Sequence, residues 1–271
     1  MRTVVGICLL LVLAGCNAPV GDAATERPAT TATAAPVPDS TLAPGVTDEG
    51  VVDPERLAAV HRGAIEDRSY TLVANRTVRY SNGTLRSELW LQVRLGERRT
   101  YHATASTAGS EGPVFLGEPP ATAEFWGNGS VYVRRFARDG ERTYNTFEPV
   151  RGAGTWQYWV RMVPFGGGVG SPRRFIGDLF ATVPTRLDGT THNTTAYRLV
   201  GDSATGPVKG VDGVSDVRLT AVVRANGLVR SISLQYAGQV DGEPIRVTRR
   251  VRYGRVGRTT ADQSSWFDRA I

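Results

Sequence analysis

Apolar and polar residues alternate with period two along most of this chain. From Tyr70 to Tyr80 one face reads Tyr70, Leu72, Ala74, Arg76, Val78 and Tyr80. Ser81, Asn82 and Gly83 supply a turn, after which Thr84–Leu95 carries Leu85, Ser87, Leu89, Leu91, Val93 and Leu95 on one face. Thr84, Arg86, Glu88, Trp90, Gln92 and Arg94 take the other. That pattern predicts an antiparallel hairpin with one buried and one wet face. Further strands are predicted at Thr100–Ala105, Ala121–Trp126, Val131–Phe136 and Arg142–Phe147, with Asn128-Gly129 and Asp139-Gly140 as turns between the last three. The sheet resumes at Thr194–Val200, Asp216–Arg224, Leu228–Gln239 and Pro244–Tyr253. Asn226-Gly227 and Asp241-Gly242 join the final three as hairpins, because both residue pairs tolerate the positive φ that tight hairpin turns need.

Three segments depart from that period. Asp53 is a good N-cap, Pro54 suits the first helical position, and Glu55 complements the helix dipole. Leu57, Val60, His61, Ala64 and Ile65 then recur at helical spacing, so a helix is expected to about Arg68. A second helix is expected after Thr155, with Trp156, Trp159, Val160 and Val163 as its stripe. A third starts at Ser171-Pro172, with Phe175, Ile176, Leu179 and Phe180 facing inward. Together these elements predict an α+β domain: one large, curved antiparallel sheet, an open half-barrel, with helices packed on its concave face.

The chain opens differently. Arg2 precedes an apolar run, Val4–Leu13, which ends in Leu13-Ala14-Gly15-Cys16. The run is too short to span a bilayer but suits the core of a signal peptide. The four residues at its end resemble the lipobox of prokaryotic lipoproteins. This implies a signal peptide over 1–15, lipid attachment at Cys16, and residence at the outer face of the cytoplasmic membrane. Cys8 would leave with the leader, so the mature chain would keep only Cys16 and could form no internal disulfide. The stretch after Cys16, up to Asp53, is rich in Ala, Thr, Pro and Asp and lacks aromatic residues. It cannot bury enough surface to offset its ordering entropy, so 16–53 is expected to be a disordered tether spanning roughly 35 Å. The folded domain is expected over 54–271. Export also gives meaning to four Asn-x-Ser/Thr sequons, at Asn75, Asn82, Asn128 and Asn193.

Charge changes the picture little. The net charge is +6 and the pI about 9.7, and of the 32 basic residues only Lys209 is a lysine. The arginines are scattered along strands rather than clustered in the sequence, which argues against nucleic acid as a partner and supports at most a mild attraction to anionic lipid or polymer.

The lipobox, the Thr/Pro-rich tether, the short helix with His61 and the stretch SYTLVANRTVRYSNGTLRSEL at Ser69–Leu89 resemble a haloarchaeal lipoprotein family of unassigned function. The strand–helix–strand order is similar to the wider LolA/LppX-like group of envelope lipoproteins and carriers. That resemblance implies a half-barrel whose helices enclose a cavity for acyl chains. Leu89, Leu91, Leu219, Ile232 and Leu234 would line it from the sheet, and Trp156, Trp159, Phe175 and Leu179 would close it.

His61, His102 and His192 lie far apart, without the spacing of a metal site, and no Gly-x-Ser-x-Gly elbow is present. Gly166–Gly170 precedes a helix but lacks the Lys-Ser/Thr of a phosphate-binding loop. It reads as a flexible link that could hinge a helical lid. Arg249 falls on the inward face of its strand, between Val247 and Val251. An inward arginine is costly unless paired or facing a polar ligand group, so a bulge returning it to solvent is expected. The expectation is therefore a non-enzymatic, monomeric lipoprotein without cofactor or metal. Its partners would be the membrane, through the anchor, and a lipid or other amphiphile. The alternative is a structural or sensory surface protein acting through protein contacts.

Overall fold

The computed structural model describes residues 40–138, 140–149, 155–165, 172–190, 195–208 and 210–271. Cys16, the glycine run 166–170, His192, Asn193 and Lys209 lie outside them.

The first element was not anticipated. Val46–Thr47 (β1) and Gly50–Val51 (β2) form a small hairpin, with Ala43 and Val46 buried in the core. Residues 42–53, expected in the tether, are thus folded into the domain. Composition concealed this, because two apolar side chains suffice to dock a segment whose other residues are tether-like. The Val51 amide donates to Thr185 Oγ1 at 3.1 Å and holds the hairpin in place.

Helix α1 (Pro54–Ile65) starts as expected: the Asp53 carboxylate accepts from the Arg56 amide at 2.9 Å, a cap worth about 1 kcal/mol. It ends at Ile65, a few residues early. The first meander then runs through β3 (Tyr70–Tyr80), β4 (Leu85–Leu95), β5 (Tyr101–Ala108), β6 (Ala121–Gly127), β7 (Tyr132–Arg138) and β8 (Glu141–Thr146). The expected helix after Thr155 is a single π-helical segment, Tyr158–Met162, running into a 3₁₀ turn at Val163–Phe165. Helix α2 (Pro172–Thr182) follows. The second meander comprises β9 (Arg186–Thr190), β10 (Ala196–Gly201), β11 (Asp212–Arg224), β12 (Val229–Val240) and β13 (Glu243–Gly254).

All eleven strands from β3 to β13 form one antiparallel sheet in the order β8-β7-β6-β5-β4-β3-β13-β12-β11-β10-β9. The first strand of one meander pairs with the last strand of the other, so β3 and β13 occupy the middle. The sheet stays open, with β8 and β9 as its edges. Strand β9 was not anticipated: its alternation is interrupted by Gly189, which sits in the edge strand at φ +143°, beside a bulge at Arg198/Leu199.

Alternation decides which side is buried. The inner face carries two apolar clusters. One gathers Leu57, Ala58, Ile176, Leu179, Leu199, Leu219, Ala221, Ile232 and Val247 beneath α1 and α2. The other gathers Leu72, Leu91, Val93, Ala103, Phe125, Trp159 and Val160 beneath the π-helical segment. Gly177 lets the two helices approach, since a Cβ there would lie 2.8 Å from Glu55 Oε1 and 3.7 Å from the Ala58 Cβ. The outer face is mostly wet. Its exception is a patch where Trp126 and Val133 are covered by Trp266 and Ala270 of the chain terminus. The observed architecture is the expected α+β open half-barrel with its helices on one face.

Candidate functional site

The inner face is not sealed along its whole length. Between α2, the 204–208 segment and strands β3, β11, β12 and β13 lies an open cleft of about 640 Å³, within the size range of small-molecule sites. Phe175, Leu179, Leu234 and Tyr236 give it apolar walls, and Arg76 and Arg249 project into it from the sheet.

Register puts those two arginines side by side. Arg249 of β13 is directly opposite Arg76 of β3, and the same row continues to Leu89 on one flank and to Leu234 and Leu219 on the other. Pairing of β13 with β12 and with β3 is continuous, without a register shift. The bulge expected to return Arg249 to solvent is therefore absent, and the inward alternative holds. Its charge is accommodated locally: Nη2 donates to the Pro164 carbonyl at 2.6 Å. The guanidinium also lies 4.3 Å from the centre of the Phe175 ring and 5.8 Å from that of Phe165, positions that a ring face favours. Its Nε is buried and has no hydrogen-bond partner among the described residues. Burial first, and the neighbouring Arg76 charge second, bring the Arg249 guanidinium down to about 10, so it is still a cation at neutral pH. Arg76 has no carboxylate partner among the described residues. The other charged pair at the cleft, Arg174 and Asp178, is exposed and joined to itself at 3.5 Å. The cleft is therefore a mostly apolar trough with an excess of positive charge at its sheet wall.

The residues expected to form a cavity divide. Phe175, Leu179 and Leu234 line the cleft. Leu219 and Ile232 belong to the same cluster but are packed beneath the helices, outside the lining. Leu91 and Trp159 are fully buried in the second cluster, and Leu89 packs against it. Trp159 makes ring contacts with Phe125 at 4.4 Å and Tyr158 at 5.2 Å. Trp156 borders a separate hollow of about 180 Å³ and lies between the guanidiniums of Arg99 and Arg161, 4.8 and 5.2 Å from its ring. Alternation identified the inward face; it could not tell which inward residues the helices would cover. Arg76 and Tyr236 were missed as site residues although Arg76 already stood on the inward side of its strand pattern.

The polar groups elsewhere are structural. His61 is completely buried: Nδ1 accepts from the Val229 amide at 3.2 Å, and its ring meets Tyr253 edge-on at 5.0 Å. Burial holds it down to about 4, so it is neutral. His102 Nε2 lies 3.5 Å from Glu124 on the outer face, under Trp266. Among the described residues no cluster of three or more His, Cys, Asp or Glu side chains could hold a metal, and no helix is long and apolar enough to cross a membrane. Asn82 and Asn128 occupy exposed turns, where their Oδ1 atoms accept backbone amides. Asn75 sits mid-strand, with Nδ2 near Glu88 at 3.4 Å. The arginines, scattered in sequence, do gather in one place. Arg224, Arg230, Arg252, Arg255 and Arg258 border an outer cleft of about 420 Å³, a grouping made by the ends of β11, β12 and β13 and the turn after β13.

Comparison with family models and with curated proteins finds no match. Solved structures similar to the chain include LprF from Mycobacterium bovis, at 8% identity and TM-score 0.33, covering 78% of this chain and 96% of that one. A DUF1329 family protein from Desulfovibrio piger covers 79% and 95% at 9% identity and TM-score 0.26. A putative outer membrane lipoprotein-sorting protein domain from Vibrio parahaemolyticus covers 79% and 96% at 6% identity and TM-score 0.24. Similarity at this level assigns neither a family nor a ligand.

Proposed function

We propose that this chain is an extracytoplasmic lipoprotein, anchored through Cys16, whose domain binds or carries a lipid or other amphiphile in the cleft between the sheet and α2. The observation that carries this reading is the cleft itself, about 640 Å³ of open, mostly apolar space inside a core that is otherwise packed. A domain with no ligand to hold gains by collapsing such space, because unfilled apolar walls forfeit dispersion contacts. The reading includes a monomeric domain, a flexible tether from Cys16 to about residue 41, and no catalytic step. His61 is neutral and walled in, and the His102–Glu124 contact lies under the chain terminus, which supports a non-enzymatic role.

Native and denaturing mass spectra of a 40–271 fragment, purified without detergent, test the proposal. A co-purifying mass that extracts into organic solvent, or saturable uptake of a fluorescent acyl probe, is expected. An apo mass with no probe uptake would overturn it in favour of a surface protein acting through contacts with other envelope components. Anchoring is tested separately: Cys16→Ser should move the chain from the membrane fraction to the medium.

A further inference from the structure

Resting on the carrier reading, we infer that the ligand is an anionic amphiphile, whose carboxylate or phosphate head is held between Arg76 and Arg249 while its chain lies along the Phe175, Leu179 and Leu234 wall.

The argument starts from a conflict. Two permanently charged groups stand on directly opposed positions of neighbouring strands, an arrangement that destabilises a sheet. They stand on the buried side, where the alternation of β3 and β13 otherwise places Leu72, Ala74, Val78, Val247 and Val251. A sequence selected only for packing would fill that row with aliphatic side chains, as it does at Leu89, Leu234 and Leu219. Arg249 has found a carbonyl and two ring faces, yet among the described residues its Nε has no partner and no carboxylate meets either guanidinium. Buried polar groups left without partners in a native protein call for a ligand, a strain or a function.

An anion resolves all three features at once. Guanidiniums present planar forks that match carboxylate and phosphate geometry, and two of them side by side can bind one anion in a shielded trough. Tyr236 lines the same wall and adds a hydroxyl donor to the trough. The apolar walls extend from this point toward Leu179, Val217 and Val247, so an attached hydrocarbon would have somewhere to go. A cationic or uncharged head would leave the arginine pair unmatched.

The test uses the full chain, kept in an uncharged alkyl maltoside, with photoactivatable probes of one acyl chain and four heads: carboxylate, phosphate, alcohol and trimethylammonium. The carboxylate and phosphate probes should label roughly tenfold or more better than the other two, and their ranking separates a fatty acid from a phosphate-headed lipid. Arg76→Gln with Arg249→Gln should remove that preference while leaving acyl labelling. Arg76→Lys with Arg249→Lys should retain part of it, and Arg250→Gln, one residue along and facing outward, should change nothing. Circular dichroism melts establish that each variant is folded. Equal labelling by all four heads, or a preference that survives the glutamine pair, would overturn the inference and leave the carrier reading standing. Displacement by acetate or inorganic phosphate at the same concentration would show a small-anion site and also overturn it. If no probe labels, the carrier reading falls and takes this inference with it.

Discussion

His61 Nδ1 accepts the Val229 amide proton at 3.2 Å, tying the middle of α1 to the start of β12 across 168 residues of sequence. The bond requires an unprotonated Nδ1, and burial keeps it so by holding the imidazole down to about 4, against an ordinary value of 6.5. The folded value lies below the unfolded one, so the associated stability is fully present above about pH 6.5. It is lost as pH falls toward 4, by on the order of 3 kcal/mol in total. Chemical denaturation between pH 7.5 and 4 should show that loss. His61→Gln, which keeps an acceptor but does not titrate, should be less stable at pH 7.5 and should lack the slope. An equal slope in both proteins would assign the acid sensitivity elsewhere.

Glu124 makes a second, separable contribution. Trp266 Nε1 donates to its Oε2 at 2.7 Å, Arg135 pairs with its Oε1, and His102 lies 3.5 Å away. The close approach of the His102 imidazole first, with help from Trp266 and Arg135 and against the cost of burial, lowers the carboxyl to about 2. Here the stabilisation is present above about pH 4.5 and disappears as pH falls through about 2, so it survives the range in which His61 acts. Glu124→Gln should lower the melting temperature at pH 6 by several degrees and loosen the terminus, read as a shift in Trp266 fluorescence. The difference from the parent protein should narrow below pH 4 and close only at about pH 2 and below. A difference that persists there would show that packing, not charge, holds Trp266 in place.

Much of this was legible because local chemistry and global register agreed. Asp241 and Gly242 both adopt positive φ, +54° and +80°, as the hairpin they were read to form requires. Asp53-Pro54 marked the helix start to the residue. The failures share a cause: they depend on what covers a residue, which no local pattern encodes. Leu234 and Leu219 lie in one cross-strand row, yet only Leu234 lines the cleft. The five arginines of the outer cleft are brought together by the pairing of β11, β12 and β13 and by the turn that follows β13. Arg249 was read as escaping to solvent because burial cost was weighed without the Phe175 ring and the Pro164 carbonyl, which arrive from 74 and 85 residues away in sequence.

The docked segment 42–53, with its β1–β2 hairpin, predicts where the domain can be cut. A fragment 54–271 would lose the buried Ala43 and Val46 side chains and expose their partners in the first cluster, a cost of roughly 2–4 kcal/mol. Relative to 40–271, its melting temperature should fall by several degrees. Gly50→Ala should act in the same direction, since Gly50 holds φ +125° and a Cβ there would meet the Thr185 carbonyl oxygen at 2.0 Å. Equal melting of the two fragments would mean that the hairpin adds nothing to the fold.

The arginine pair predicts an opposition between stability and binding. Arg76 has no charged partner among the described residues and faces Arg249 directly, so its guanidinium repels without local return. Replacing it with methionine, unbranched and apolar, should relieve that repulsion and fill the row between Leu89 and Arg249 with hydrocarbon. The ligand-free protein should gain roughly 1 kcal/mol, or about 2–4 °C in melting temperature at low salt. Added salt screens exposed charges more than buried ones, so the gain should shrink only slightly at 0.5 M. Arg249→Met should differ in sign, because it also gives up the Pro164 hydrogen bond and the Phe175 contact. Calorimetry of both variants and of the double mutant measures the coupling between the two positions. A drop in melting temperature for Arg76→Met would mean that Arg76 stabilises the empty cleft. A gain would mark this row as one where sequence has been held away from its stability optimum by something other than folding.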